Sequence, residues 1–156
     1  MKIKIIALGK LKEDFLRKGI DEFLKRLTPY ASVEIIELPA IEIKDDNLTE
    51  KILKEEGEKI LSHIKKEAFV ITLEIKGTQL SSEDFASKIE EVTNYGYNEL
   101  IFVIGSSCGL SKIVSDRANF KLSISKMTFL HQFIRLILIE QIYRAFKILK
   151  RESYHK

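Results

Sequence analysis

The residues best able to do chemistry lie late in the chain. Gly105-Ser106-Ser107-Cys108-Gly109 follows the apolar run Ile101–Ile104, and glycines at a strand end let backbone amides and carbonyls approach a ligand closely. A bare structural turn fits the same residues. The lysine and hydroxyl of a phosphate-binding loop and the glycine spacing of a dinucleotide fingerprint are both missing, which disfavours phosphate-cleaving and nicotinamide enzymes. Of the histidines, His63 falls on the polar side of an expected helix. His131 shares a helix face with Arg135, but no Cys or carboxylate stands at metal-ligand spacing, so no metal is expected. His155 stands beside Tyr154. The single cysteine, Cys108, has no histidine partner in sequence and reads as a filler thiol. Glu140 and Arg144 are spaced for an ion pair, although an arginine in a mainly apolar helix is also a natural phosphate ligand.

These residues need a scaffold, and short β-branched runs alternating with amphipathic ones describe a mostly parallel sheet flanked by helices. Strands are expected near Ile3–Leu8, Val33–Leu38, Phe69–Leu73, Leu100–Ile104 and Lys121–Ile124. A first helix carries the stripe Phe15, Ile20, Phe23, Leu24 and Leu27 and stops before Thr28-Pro29. A second covers about Asn47 to Lys65, with Leu48, Ile52, Leu53, Ile60, Leu61 and Ile64 inward. A third opens at Ser81-Ser82-Glu83-Asp84, where a hydroxyl can cap free amides and carboxylates suit the positive helix end. The last, from about Leu130 to Lys150, is apolar over more than one face, as expected of a helix packed on the sheet on one side and on a second subunit on the other.

At 156 residues and 45% hydrophobic content the chain suits one domain, residues 1–156. One cysteine allows no intrachain disulfide, the start lacks a signal-peptide core, and no apolar stretch reaches the roughly 18 residues of a membrane span, so a cytoplasmic protein is expected. Charge is unevenly shared. Residues 1–100 hold 16 Lys/Arg against 20 Asp/Glu, a net of −4, whereas residues 101–156 hold 10 against 3, a net of +7. With Lys112, Arg117, Lys121, Lys126, Lys147, Lys150 and Arg151 near Arg144, RNA is a reasonable partner.

Several stretches together resemble one family. Leu8-Gly9-Lys10-Leu11-Lys12, Val70-Ile71-Thr72-Leu73, Phe102-Val103-Ile104-Gly105, Ser125-Lys126-Met127-Thr128-Phe129, Tyr143-Arg144-Ala145-Phe146-Lys147 and Tyr154-His155-Lys156 are similar, in order and over the whole chain, to the ribosomal RNA large subunit methyltransferase H family of the SPOUT superfamily. The resemblance implies an α/β fold with a C-terminal trefoil knot, an exception to unknotted topology. It also implies a homodimer that uses S-adenosylmethionine to methylate N3 of a pseudouridine in large-subunit (23S) rRNA. It assigns cofactor contacts to Leu73, Gly105, Ile124, Ser125, Lys126, Met127, Thr128 and Phe129. His155 becomes a base or base-orienting group, Tyr154 a stacking platform and Arg144 an anchor for rRNA phosphate or base. The family generally has glycine where Ser106 and Arg151 stand and proline where Leu130 and Ser153 stand. Ser106 would crowd the loop if its backbone needed a positive φ. A rival reading is a weakened homologue that binds ribosomes without modifying them; a flavodoxin-like or receiver-like domain is disfavoured by the absence of an acidic cluster after the first strand.

Overall fold

Strand β1 (Lys2–Leu8) is apolar on both sides: Ile3, Ile5 and Ala7 face one helical layer, Ile6 and Leu8 the other. Strands clothed by helices on both faces carry such continuous apolar runs and pair in parallel. The computed structural model, which describes residues 1–42 and 44–156, bears this out with five strands, all parallel, in the order β2-β1-β4-β3-β5. The remaining strands are β2 (Ser32–Leu38), β3 (Phe69–Gln79), β4 (Glu99–Ile104) and β5 (Phe120–Ser123).

The helices α1 (Asp14–Leu27), α3 (Ser82–Asn94) and α5 (His131–Leu149) cover one face, and α2 (Thr49–Ser62) and α4 (Lys112–Arg117) the other. The larger core cluster lies on the first face, where Phe102, Leu100 and Ile71 of the sheet meet Ile20, Phe85, Ile89, Leu138 and Ile142. Helix α3 begins as expected, since Ser81 Oγ accepts from the Asp84 amide at 3.0 Å. Helix α5 lies in the groove between α1 and α3 and buries Leu138, Ile139, Ile142, Tyr143 and Ala145. Its other apolar side chains, including Ile134, Leu136, Ile137, Phe146 and Ile148, are half-buried, and Phe133 is exposed. The chain alone therefore leaves part of this helix uncovered.

Several expectations need correcting or completing. Phe15 and Leu48 do not point inward: they are 58% and 45% exposed, Phe15 leaning on Phe133 of α5 and Leu48 ending a 3-10 turn (Asp46–Leu48) before α2. Strand β3 does not stop at Leu73. It loops out over Glu74–Gly77 and resumes, so that Leu73 and Thr78 both face Leu122. A polar-rich bulge interrupts the apolar alternation that marks a strand, although the ladder itself continues. Finally, the short helix α4 carries too few residues for its periodicity to register, and His63 is half-buried at the end of α2, its carbonyl accepting from Lys4 Nζ at 3.2 Å.

Candidate active site

The carboxyl ends of β3, β4 and β5 open into a cleft of about 730 Å³, the place where open α/β sheets bind ligands. Its walls include Leu73, Gly105, Ile124, Ser125, Met127, Thr128 and Phe129, seven of the eight residues expected to face a cofactor. Lys126 is the exception: it is exposed and does not line the cleft. Cys108 is on the cleft wall and exposed, so it does not serve as core filler.

Backbone proximity gives the cleft its shape. A Cβ built on Gly105 would lie 2.6 Å from the Gly109 carbonyl oxygen, and one on Gly77 would lie 2.7 Å from the Lys121 carbonyl oxygen. Neither position has room for any side chain. The turn after Gly105 is closed by the Gly109 amide donating to the Ser106 carbonyl at 2.9 Å, with the left-handed residue at Gly109 (φ 83°) and not at Ser106. Ser106 therefore fits without strain, and its hydroxyl donates at 3.3 Å to Glu56, a carboxylate only 2% exposed. The other Glu56 oxygen accepts from the Ile41 amide at 3.1 Å, so one buried acid on α2 ties the turn to the chain leaving β2.

At the cleft mouth, burial and the positive charges of Arg135 and Lys12 push the His131 imidazole below its ordinary pKa. Arg135, one turn further, is 2% exposed and turned away from the cleft, donating to Glu37 Oε2 at 2.6 Å and to the Gly9 carbonyl at 3.1 Å. Glu74 on the β3 bulge accepts from Thr72 Oγ1 at 2.6 Å and from Ser115 Oγ at 2.9 Å, which places a held carboxylate on the cleft wall.

Arg144, Tyr154 and His155 are brought together, but outside the cleft of their own chain. Arg144 donates from Nε and Nη2 to Glu140 Oε1 at 3.0 and 2.6 Å, and its guanidinium lies 4.8 Å from the Tyr154 ring centroid. The Tyr154 hydroxyl donates to the same Glu140 oxygen at 3.0 Å, and its ring packs on Tyr143. His155 sits between Arg144 and Glu83 of α3. In this arrangement the Tyr154 ring is already engaged on Arg144 and Tyr143, so a base could stack there only after a rearrangement. A second cavity of about 350 Å³ joins the two regions, lined by Ile124, Ser125 and Phe129 from the cleft and by Ser82 and Gln141 from the tail side. The tail is further anchored by Lys147, which bonds Glu152 at 2.5 Å and Tyr30 at 3.3 Å. These contacts raise the Lys147 pKa and hold the Glu152 carboxyl below its ordinary range.

The expected basic patch is only partly available. Arg117 is consumed structurally, donating to the carbonyls of Lys65, Lys66 and Ala68, and Lys112 pairs with Asp116. Among the described residues Lys121, Lys126, Lys150 and Arg151 make no salt bridge. The contribution of Glu83, Glu56 and Glu74 was not legible in sequence. Glu83 meets His155, Glu56 meets Ser106 and Glu74 meets Ser115 only in the folded chain, and only the clustering of Glu83 at a helix start gave a signal, which reads as capping.

Two comparisons bear on this geometry. A family model described as a predicted SPOUT methyltransferase matches residues 1–155. The ribosomal RNA large subunit methyltransferase H of Carboxydothermus hydrogenoformans is 53% identical over 160 residues, covering 100% of each chain.

Proposed function

Because the chain belongs to the ribosomal RNA large subunit methyltransferase H family of SPOUT methyltransferases, we propose that it methylates N3 of a pseudouridine in large-subunit (23S) rRNA with S-adenosylmethionine as donor. The observation that carries this reading is the cleft of about 730 Å³ at the carboxyl ends of β3, β4 and β5, whose wall is formed by Leu73, Gly105, Ile124, Ser125, Met127, Thr128 and Phe129. Leu73 and Ile124 supply apolar contact for adenine, and main-chain groups from Gly105 and from Ser125 to Phe129 read its edge, with Lys126 contributing backbone alone. When bound, the cofactor supplies a methyl group whose bond to sulfur breaks with its electron pair going to sulfur as a bond to the accepting nitrogen forms. The protein's task is then to align that nitrogen and to take its proton.

His155 takes the proton, Arg144 holds rRNA phosphate or base, and Tyr154 supplies the aromatic face. These groups stand outside their own cleft, which supports a homodimer in which the uncovered side of α5 meets its partner. The trefoil knot belongs to the same reading, supported by the close backbone approaches at Gly77 and Gly105. No helix among the described residues is long and apolar enough to cross a membrane. The proposed rRNA substrate supports a cytoplasmic location. Incubating the purified protein with ribosomes lacking the modification and isotopically labelled S-adenosylmethionine, followed by mass mapping of the rRNA, tests this. The expected result is one methyl group on one pseudouridine; cofactor binding without methyl transfer would favour the weakened homologue.

A further inference from the structure

Both ring nitrogens of His155 are engaged. Nδ1 lies 3.2 Å from Arg144 Nη1 and Nε2 lies 2.7 Å from Glu83 Oε1. A guanidinium only donates, so Nδ1 must carry a lone pair; an ionised carboxylate only accepts, so Nε2 must carry the hydrogen. An imidazolium would set an Nδ1–H against a guanidinium N–H. The two contacts thus fit a ring with its hydrogen on Nε2 and its lone pair on Nδ1.

Glu83 is tied into a larger ring of hydrogen bonds. Its neighbour Ser82 donates to Gln141 Oε1 at 2.7 Å, and Gln141 Nε2 donates to Glu140 Oε2 at 2.9 Å. Glu140 accepts from Arg144, which meets His155, which returns to Glu83. The first turn of α3, the middle of α5 and the tail are thereby closed into one circuit. Ser82 and Gln141 also line the cavity that adjoins the cleft. Glu83 is capped from behind, because Ser81 bonds the Asp84 amide and so orders the turn that carries it.

We propose that Glu83 is a positioning residue for His155: it holds Nε2–H, so that Nδ1 is the atom that accepts the substrate's proton, and its carboxylate offsets the charge of the imidazolium that results. The inference rests on the reading of His155 as base. Nδ1 becomes available when Arg144 leaves it, a move that an RNA phosphate drives, since phosphate is the better partner for a guanidinium. In the step itself the proton passes from the substrate nitrogen to Nδ1, the Nε2–H bond to Glu83 stays intact, and no other bond of the protein changes. The arrangement parallels the carboxylate that orients a catalytic imidazole in hydrolytic triads.

Nitrogen-15 and proton NMR of the full-length protein labelled at histidine, without cofactor or RNA, reads the tautomer directly. The expected spectrum has His155 protonated at Nε2 and bare at Nδ1, with the Nε2 proton protected from solvent exchange. Glu83→Ala should lose that protected proton while His63 and His131 keep their signals, and Glu83→Asp should restore it in part. In turnover, Glu83→Ala should lower kcat roughly tenfold or more with the KM for S-adenosylmethionine unchanged. A hydrogen on Nδ1, or Glu83→Ala with wild-type exchange and kcat, overturns the inference. His155→Ala separates the two readings. Full turnover in that variant removes His155 as base whatever Glu83 does, whereas lost turnover beside an unaffected Glu83→Ala variant sinks the role of Glu83 alone.

Discussion

The cleft and the tail circuit are joined by a small cavity, yet they are made of different materials. The cleft is backbone and apolar side chain, shaped by carbonyls so close to Gly105 and Gly77 that a methyl group would collide with them. The tail circuit is charge and hydrogen bond, with Glu83, His155, Arg144, Glu140 and Tyr154 all partly open to solvent. Close packing resists small changes and is indifferent to pH and salt, whereas solvent-exposed charge pairs are weak singly and respond to both. A methyl transferase can use that division. On the proposed reading, the donor site would be permanent, and the groups assigned to RNA could be rearranged by it.

The largest expected effect comes from removing the circuit altogether. A chain ending at Ser153 lacks Tyr154 and His155, and methylation of ribosomes should fall by about a hundredfold or more, the usual worth of a positioned base. Calorimetric titration should find S-adenosylmethionine binding changed by less than about twofold, because none of the lost residues lines the cleft. If binding collapses as well, the two regions are not separable and the comparison fails.

The reverse experiment is Gly105→Ala. Its Cβ would stand 2.6 Å from a backbone oxygen, and the backbone must shift to admit it. Overpacking of this kind costs about 1–3 kcal/mol. Thermal unfolding should report that loss, and cofactor affinity should fall about tenfold or more, while the His155 signals of the tail stay where they are. A variant that binds the donor normally would show that this approach of chain to chain does not shape the site.

How much of this was readable beforehand follows the same division. Parallel strands clothed on both faces announce themselves in runs such as Ile3–Leu8 and Leu100–Ile104, and the cleft lies where such a sheet must place it. The Ser106 concern was misplaced because the left-handed residue of the turn is Gly109, which residue types alone do not reveal. The β3 bulge was missed because Glu74–Gly77 breaks alternation without breaking the ladder. Partners such as Glu83 and His155, 72 residues apart in sequence, meet only through packing of α3 on α5. Arg117 had the composition of a phosphate ligand and is a carbonyl clamp instead.

Acid should loosen the tail before it affects the cleft. The Glu83 carboxyl is held below its ordinary value of 4.5, first by its bond to His155, and Glu152 likewise, first by Lys147 and then by Tyr30. For groups whose folded pKa is depressed, the stabilisation is complete above the unfolded value and is lost as pH falls through the folded one. The contributions of Glu83 and Glu152 to tail docking should therefore be complete above about pH 5 and be lost progressively below about 4.5. Limited proteolysis or amide exchange across residues 150–156, followed from pH 7 to pH 3, checks this; protection that survives to pH 3 would mean that apolar packing of Tyr154, not charge, holds the tail. Raising salt at pH 7 should loosen the tail in the same direction and more weakly.

The smallest effect lies at the turn between α5 and the tail. Arg151 is the one residue other than glycine with a positive φ, 56°, among the described residues. Its amide donates to the Ile148 carbonyl at 3.0 Å and the Glu152 amide to the Lys147 carbonyl at 2.9 Å, the paired bonds with which a helix ends on a left-handed residue. That turn sends the tail back along α5 to Glu140 and α3. The left-handed conformation costs a residue with a Cβ about 1 kcal/mol that glycine escapes, offset in part by glycine's greater freedom when unfolded. Arg151→Gly should thus raise stability by about 0.5–1 kcal/mol, visible as a rise of a few degrees in Tm. The turnover rate at saturating ribosome should change little, since Arg151 does not line the cleft, while loss of a cation that forms no salt bridge among the described residues should weaken ribosome binding slightly. A fall in Tm would show that the docked tail, with its charges in place, already compensates for the strain at its hinge.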